Sequence, residues 1–341
     1  MTLKFAALGL DHRHIYGMSQ GMIDAGCTFA AYWTEGEPQP LAGFTKRFPD
    51  VARVTNIDEI LNDETIQLVL IAAAPKDRAR LSIEAMRHGK DVMLDKPGCL
   101  TSEELVDIEA TIKATGRIWS INFSERFEVP AVTLCDQFLA EGRIGEIVHI
   151  MAVGPHRLNA QMRPDWFWLP SEYGGILGDI GAHQIDQFLH FSGAETAEIT
   201  RSTVGNMNTP AHPKFQDFGE MNLSAGRVQG YVRLDWFTPD AAPNWGDGRV
   251  TIVGTEGYIE LRKYMDIGGQ AGGDHVFLVN GTECTRFDAS NAGTPYFAHL
   301  RHDIENRTET ACPQRHTLTV MRLAMEAQNQ AIRLGTLADR H

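Results

Sequence analysis

The segment from Gly174 to Gly193 carries a regular series of ionisable side chains. Asp179, His183, Asp186 and His190 follow one another at intervals of four, three and four residues. This spacing predicts that all four lie on one face of a helix. A carboxylate and an imidazole one turn apart can exchange a proton near neutral pH, as the oxidation of a hydroxyl requires. His183 is therefore the candidate base and Asp179 the group that orients it or binds substrate, and a solvated polar stripe is the alternative.

Lys96 is the second candidate for chemistry. It follows the apolar run from Asp91 to Leu94 and stands in the turn Asp95-Lys96-Pro97. Open α/β sheets bind their ligands at the carboxyl ends of strands, and Pro97 biases Lys96 toward an extended conformation. The ammonium group is then expected to donate a hydrogen bond to a substrate oxygen. A lysine in a surface ion pair is the alternative interpretation.

The turn from Gly9 to His14 follows the first apolar run of the chain. A dinucleotide-binding turn has three glycines, and only the first of them is present here. Asp11 and His14 alter the contacts that the other two glycines would make. Two interpretations follow: His12, Arg13 and His14 supply donors in place of the missing backbone contacts, or the turn binds dinucleotide weakly or not at all. We favour the first.

Glu35 ends the second apolar run, at Trp33-Thr34-Glu35. A carboxylate at this point in the chain is expected to contact a ribose hydroxyl of the cofactor. No Arg or Lys follows it before Lys46, and a 2′-phosphate would need a cation and would be repelled by Glu35. The sequence therefore predicts NAD, with NADP less favoured, and a solvated loop carboxylate is the alternative.

Short apolar runs alternate with longer amphipathic runs along the first 122 residues, which is the rhythm of strand-helix-strand units. A capping box at Thr101 to Glu104 marks the start of one helix. The runs are Lys4 to Leu8, Ile15 to Ala25, Thr28 to Trp33, Pro38 to Phe48, Gln67 to Ala73, Asp77 to His88, Asp91 to Leu94 and Ile118 to Ile121. Strands that are apolar throughout predict a parallel sheet covered on both faces.

The pattern changes after residue 122. A helix near Val129 to Ala140 and a strand at Ile147 to Val153 are followed by runs that alternate between apolar and polar residues. These runs include Arg227 to Phe237, Arg249 to Val253, Tyr258 to Arg262 and His275 to Val279, and the chain closes with a predicted helix at Leu318 to Leu334 before Gly335. The predicted fold class is α/β: a Rossmann dinucleotide-binding domain at residues 1–122, and an α+β domain with a large open, mostly antiparallel sheet at residues 123–341. The second domain is expected to bind substrate and form oligomers, with a terminal helix that can pack back on the first domain.

Composition excludes several classes of protein. The formal charge is −13 over 341 residues, without a cluster of Lys and Arg, so nucleic acid is not an expected partner. Apolar stretches such as Leu68 to Ala74 are too short to span a bilayer, and Phe5 to Leu10 lacks the flanks of a signal peptide. We therefore expect a cytoplasmic protein without a membrane partner.

No metal site is expected from the sequence. The five cysteines are widely spaced without a CxxC pair, and they are predicted to be reduced and mostly structural. His12 with His14, or His299 with His302, has the spacing of a ligand pair, but neither pair has an obvious third or fourth ligand.

Motifs that lie far apart in the chain make the sequence resemble one family of dehydrogenases. Asp95-Lys96-Pro97 is similar to the Glu-Lys-Pro turn, and the segment from Gly174 to His183 is similar to the Gly-Gly-x-x-x-Asp-x-Gly-x-His motif, of the glucose-fructose oxidoreductase, inositol dehydrogenase and rhizopine catabolism (Gfo/Idh/MocA) family. The resemblance covers nearly the whole chain. It implies a nicotinamide cofactor, contacts of Lys96 and His183 with the reacting hydroxyl, His183 as the acid/base, and Asp179 as a group that binds or orients substrate.

The resemblance also implies contacts around these groups. The stretch from Asn122 to Phe127 looks like the family's Asn-Arg-Arg-Phe, which places Asn122 near the nicotinamide and Arg126 near the substrate. Arg163-Pro164-Asp165-Trp166 looks like the family's Arg-Pro-x-x-Trp loop, which implies that this segment, with Trp166, forms one wall of the substrate site. The planar forks of Arg126, Arg157 and Arg163 suggest a carboxylate or phosphate on the substrate.

The cofactor domain departs from the family pattern at two places. The glycine turn is altered, and the family's Thr-Pro-x-x-x-His appears as the segment from Ala74 to Ala79, in which Ala79 replaces the histidine. Ala74, Pro75 and Asp95 are still expected to line the cofactor pocket, which should be unusual.

The leading functional hypothesis is an NAD-dependent dehydrogenase or reductase that acts on the CH–OH group of a sugar, polyol or sugar acid. One alternative is a regulator that senses a dinucleotide or sugar without turnover, and the other is a glycoside hydrolase that uses NAD transiently. Because an open sheet with one exposed face usually finds a partner, a homodimer or homotetramer is expected.

Overall fold

The computed structural model describes residues 2–335, which form two compact units. The first runs to Phe123 and also contains Pro164–Gly174 and Pro295–Arg322. The second contains Ser124–Arg163, Gly175–Thr294 and the described residues from Leu323 onward. The domain division after residue 122 stays a prediction, because contacts group two later segments with the first unit.

The first unit is built on a six-stranded sheet in the order β3-β2-β1-β4-β5-β6, in which every pair of neighbours is parallel. Its strands are β1 (Lys4–Leu8), β2 (Thr28–Trp33), β3 (Ala52–Arg53), β4 (Leu68–Ile71), β5 (Asp91–Asp95) and β6 (Trp119–Asn122). The strands β4, β5 and β6 are buried along their whole length. The predicted parallel sheet of a Rossmann fold is confirmed, and the order is the one that binds dinucleotides at the carboxyl edge.

Helices connect the strands of the first sheet and continue into the second unit. They are α1 (Ile15–Asp24), α2 (Leu41–Arg47), α3 (Asp58–Leu61), α4 (Pro75–Arg87), α5 (Ser102–Thr115), α6 (Ser124–Phe127), α7 (Pro130–Ala140), α8 (Pro170–Tyr173), α9 (Gly175–Asp179), α10 (Gly181–Ser192), α11 (Tyr296–Asn306) and α12 (Gln314–Asn329), with short 3-10 helices at Ala160–Met162 and Asp165–Trp168. The capping box is confirmed at the start of α5, where Thr101 and Glu104 each accept from the backbone of the other. Within residues 2–335, no helix combines the length and apolar character needed to cross a bilayer.

The second unit holds a nine-stranded sheet in the order β14-β13-β12-β11-β7-β10-β9-β8-β15. Its strands are β7 (Ile147–Pro155), β8 (Glu198–Gly205), β9 (Phe218–Ala225), β10 (Val228–Asp235), β11 (Arg249–Gly254), β12 (Gly257–Arg262), β13 (His275–Asn280), β14 (Cys284–Asp288) and β15 (Ile332–Arg333). Only the β7–β10 and β8–β15 pairs are parallel within this sheet. The predicted mostly antiparallel sheet is therefore confirmed.

The end of the chain differs from the expectation. The predicted helix from Leu318 to Leu334 stops at Asn329, and Ile332–Arg333 instead forms β15 beside β8. The amide of Leu334 donates to the carbonyl of Val204 at 2.9 Å. Apolar side chains at 332 and 334 fit the period of a strand as well as that of a helix, and pairing with the edge of β8 satisfies the backbone groups.

Candidate active site

The carboxyl edge of the first sheet collects the residues predicted to bind the cofactor. Asp95 at the end of β5 pairs with Asn122 at the end of β6, and both side chains are buried. Gly9 follows β1, and Ala74 and Pro75 open α4 after β4. Parallel strands end on the same side of a sheet, so one edge carries all of these positions.

Gly9 occupies a backbone position that only glycine tolerates. Its φ is +72°, and a Cβ added there would lie 2.5 Å from the Cβ of Ala73. The turn continues with the amide of His12, which donates to the carbonyl of Ala72 at 3.0 Å. The single remaining glycine of the motif thus keeps the close approach of the first and fourth strands of the sheet.

His12 and His14 are both held by one buried carboxylate. The Nδ1 atom of His12 lies 2.8 Å from Asp95 Oδ2, and the Nδ1 atom of His14 lies 2.8 Å from Asp95 Oδ1. Arg78 Nη2 donates to Asp95 Oδ2 at 2.9 Å. We call these four residues the Asp95 cluster. In this cluster the two histidines of the Gly9–His14 turn contact Asp95, the residue that precedes Lys96.

The electrostatics of the Asp95 cluster favour an ionised carboxylate and a neutral His12. Burial opposes ionisation of Asp95, but Arg78 and the two imidazoles hold its pKa well below the usual range. Burial lowers the pKa of His12 to about 4, although Asp95 acts in the opposite direction. A neutral His12 carries a single ring proton, and its Nδ1 atom lies beside the Asp95 carboxylate. Burial also raises the pKa of Asp11.

Asp95 is also the third potential ligand that the His12–His14 pair lacks in the sequence. One atom from each of the three residues lies within 4.8 Å of the others. The hydrogen bond between His14 and Asp95, the close contact of His12 and the ion pair with Arg78 account for this arrangement. A buried guanidinium beside the carboxylate disfavours a cation. The expectation of no metal site stays a prediction.

Lys96 is buried directly beyond β5, and its backbone is fixed from both sides. Its amide donates to Asp95 Oδ1 at 2.8 Å, and its carbonyl accepts from Arg78 Nη1. Arg78 was missed by the sequence reasoning, although its position four residues before Ser82 and seven before Ala85 places it on the buried face of α4. A charged residue on such a face needs partners, which was the available signal.

A cation lies beside the loop after β2, contrary to the reasoning from sequence order. Arg53 donates to the carbonyl of Gly36 at 2.7 Å and pairs with Glu37 at 2.7 Å. Glu35 in the same loop is exposed. The strand β3 brings Arg53 here by pairing with β2, and this pairing joins residues about twenty apart in the chain.

In the second unit, the segment predicted as one helix forms α9 and α10. Asp179 ends α9 and is half-buried, whereas His183 lies in the first turn of α10 and is buried. Ile180 between them keeps helical dihedral angles, with φ −75° and ψ −38°. The turn-to-turn relation between Asp179 and His183 is therefore largely preserved despite the division.

Asp186 and His190, which continue this face, have partners within the second unit. Arg126 donates to both carboxylate oxygens of Asp186, at 2.7 and 2.6 Å, and His190 Nε2 lies 2.8 Å from Asp136 Oδ1. The paired arrangement indicates a structural part for Asp186 and His190. The guanidinium group of Arg126 is thus already bound to Asp186.

The other predicted substrate arginines make backbone contacts. Arg157 Nη2 donates to the carbonyls of Ala242 at 2.7 Å and Asn244 at 3.0 Å, and Arg163 Nε donates to the carbonyl of Leu158 at 2.7 Å. Trp166 lies in the first unit and is half-buried. Substrate contacts of Arg126, Arg157, Arg163 and Trp166 stay predictions.

Two family models match the chain. Residues 33–123 match a model described as an oxidoreductase family with an NAD-binding Rossmann fold, and residues 132–260 match the GFO/IDH/MocA C-terminal domain. Together the matched residues are more than half of the chain.

Known proteins resemble the chain in structure and in sequence. A crystal structure of a protein from Erwinia carotovora atroseptica, described only as an oxidoreductase, superposes with a TM-score of 0.95 and 40% identity, over 98% of this chain and 100% of that one. Two curated relatives from Bacillus subtilis are scyllo-inositol 2-dehydrogenases. The NADP-dependent one is 25% identical over 58% of this chain and 54% of its own length, and the NAD-dependent one is 26% identical over 64% and 63%. The matches thus span about half to under two thirds of these relatives.

Proposed function

Because the chain belongs to the GFO/IDH/MocA family of oxidoreductases, we propose that it transfers hydride between NAD and a hydroxyl or carbonyl of a sugar, polyol or sugar acid. The observation that carries this proposal is the fixed position of Lys96 at the carboxyl edge of a Rossmann sheet, with its amide on Asp95 and its carbonyl on Arg78. The scyllo-inositol dehydrogenases among the relatives support a polyol-like substrate.

The proposed reaction assigns one role to each group. The ammonium of Lys96 donates a hydrogen bond to the reacting oxygen and stabilises negative charge that develops there. His183 accepts the hydroxyl proton during oxidation and returns it during reduction, while Asp179 binds or orients the substrate. The nicotinamide supplies or accepts the hydride.

Cofactor contacts are proposed along the carboxyl edge of the first sheet. Gly9, Asp11, His12, Arg13 and His14 approach the pyrophosphate. Since a neutral His12 carries no positive charge, exposed Arg13 and the backbone of the turn supply the donors in this proposal. A cytoplasmic location remains part of the proposal.

NAD is proposed over NADP because two carboxylates, Glu35 and Glu37, lie in the loop after β2. Arg53, the cation next to this loop, is already paired with Glu37. A 2′-phosphate would have to displace that pair and approach Glu35, whereas a ribose hydroxyl can donate to it. The relatives include both an NADP and an NAD enzyme, so the preference must be measured for this chain.

We expect micromolar binding of NADH and weaker binding of NADPH. Energy transfer from tryptophan to the nicotinamide, recorded during a titration, measures both affinities. Glu35→Gln removes the anionic acceptor, so the ratio of the dissociation constants for NADPH and NADH should fall by about tenfold. The exposed Glu64→Gln, in the same unit, is the matched control and should behave as the unmodified protein. Equal affinities for both cofactors would contradict the assignment of Glu35, and no saturable binding would contradict a dinucleotide pocket.

A screen of polyols, sugars and sugar acids for reduction of NAD tests turnover. Net formation of NADH supports the dehydrogenase. Tight cofactor binding without turnover would favour the regulator, and release of a sugar without net NADH would favour the glycoside hydrolase.

We also propose that the exposed face of the second sheet forms the interface of a homodimer or homotetramer. Met151, Val253 and Tyr258 lie on adjacent strands and are exposed by 40, 38 and 41%. Ile150, Ile252 and Ile259 on the opposite face are buried. An apolar face of this kind usually marks an association surface.

Sedimentation velocity should show a dimer or tetramer for the unmodified chain and a monomer for Met151→Asp combined with Tyr258→Asp. Charged residues would have to be buried without partners at the interface, which is strongly unfavourable. Val106→Asp is the control, because Val106 is an exposed apolar residue of α5 in the other unit. An unmodified protein that sediments as a monomer would contradict the proposal.

A further inference from the structure

The second unit contains a fully buried ion pair that the proposed reaction does not use. Lys263 Nζ lies 2.6 Å from Glu125 Oε2 and also donates to Gln187 Oε1 at 3.1 Å, and Gln184 Nε2 donates to Glu125 Oε2 at 2.9 Å. Glu125 and Lys263 are each only 2% exposed. A buried ion pair is often no more stabilising than apolar residues of the same size, so its presence here suggests a functional reason.

The ion pair contacts the helix that carries His183, through Gln184 and Gln187 of α10. Gln184 is the next residue of α10, and Gln187 Nε2 donates to the carbonyl of His183 at 3.0 Å. Glu125 Oε2 accepts hydrogen bonds from Gln184 and Lys263, whereas Oε1 is buried without a hydrogen-bond partner in the described part of the chain. One oxygen of the buried carboxylate therefore receives no hydrogen bond, which is unfavourable for an ionised group.

The charges of Glu125 and His183 act on each other. Burial opposes ionisation of Glu125, but Lys263, His183 and His156 together hold its pKa below the usual range. Coulomb interactions are reciprocal, so the Glu125 carboxylate must favour the protonated form of His183 to the same extent.

Other ionisable groups around His183 act alongside Glu125. Asp179 precedes it by one turn on α9, and Asp186 follows it on α10 but is neutralised by Arg126. From other elements, the charges of Lys263 and His156 act on Glu125 together with that of His183. Glu125, on α6, is thus a buried carboxylate that interacts with His183 from outside α10.

We propose that Glu125 is a positioning residue for His183, whose carboxylate stabilises the imidazolium formed when His183 accepts the substrate proton. The inference rests on the proposed function only in that His183 is the acid/base group. Lys263 orients Glu125 by binding Oε2, and Oε1 keeps no hydrogen-bond partner among the described residues. A proton moves from the substrate hydroxyl to His183, while Glu125 remains ionised throughout.

The test is the titration of His183 by NMR in the full chain labelled on histidine, with the signal assigned from His183→Gln. In Glu125→Gln we expect the pKa of His183 to fall by about one unit. The acidic limb of the kcat/KM profile should move to lower pH by the same amount. Glu125→Asp keeps the carboxylate and should return the pKa of His183 most of the way to its value in the unmodified protein. Glu198→Gln, at an exposed carboxylate of the second unit, should leave the pKa of His183 unchanged.

The outcomes separate this inference from the proposed function. An unchanged titration of His183 in Glu125→Gln overturns the inference even if the enzyme turns over, whereas a shifted titration supports it even if no substrate is found. If Glu125→Gln does not fold, the double variant Glu125→Gln with Lys263→Gln replaces both charges by amides. It should show a smaller shift in the same direction, and no shift would overturn the inference.

Discussion

Replacing Lys96 with methionine should lower kcat/KM for the proposed reaction by about 10³-fold. Methionine keeps the length and apolar character of the side chain but removes the ammonium that stabilises the reacting oxygen, and loss of one such donor costs roughly 10²–10³-fold in catalysis. Because the Lys96 backbone is held by Asp95 and Arg78, the substitution should leave the turn in place. Steady-state kinetics with NAD and the best substrate would measure the effect.

The affinity for NADH is the first control for this variant. Lys96→Met should bind NADH within about threefold of the unmodified protein, because its side chain is assigned to the substrate oxygen. Lys113→Met, at an exposed lysine of α5, should keep full activity. A loss of less than about tenfold in kcat/KM would remove Lys96 from the catalytic residues.

Asp95→Asn should lower the free energy of unfolding of the protein by about 3–5 kcal/mol at neutral pH. The substitution leaves the guanidinium of Arg78 buried without its anion and removes the charged acceptor shared by His12 and His14. Urea denaturation followed by tryptophan fluorescence and by circular dichroism measures the change. The exposed Asp107→Asn, on α5, is the matched control.

The effect of Asp95→Asn should depend on pH in a defined direction. The pKa of Asp95 is held well below the usual range of an aspartate, so its stabilisation is fully present above about pH 4 and is lost as the pH falls through the folded pKa. The difference between the two proteins should therefore be largest at neutral pH and shrink in acid. Arg78→Met added to Asp95→Asn should restore part of the stability, since no buried charge is then unpaired. A loss below about 1 kcal/mol would mean that the Asp95 cluster is not a tightly coupled unit.

The Rossmann sheet was predictable because its signals are local. Lys4–Leu8 and Thr28–Trp33 agree with the predicted runs at both ends, and the capping box located the start of α5. Apolar runs of strand length joined by amphipathic helices admit few arrangements other than a parallel sheet. The sequence analysis missed β3 and β15. Each is two residues long and forms only by pairing with the edge strand of a sheet, and no local sequence pattern indicates such a pairing.

The sequence by itself determined the order of the elements and the chemical types at the ends of the strands, including Gly9, Glu35, Asp95 and Lys96. Hydrophobic period, glycine and capping residues act within a few positions of one another, and this short range makes them readable. Which charges meet was decided only by the tertiary structure. Asp95 binds Arg78, Arg53 reaches Glu37, and Glu125 pairs with a lysine 138 positions away in the chain. Such pairs form because burial makes an unpartnered charge costly, and the partner is selected by the packing of distant segments, which leaves no local pattern in the chain.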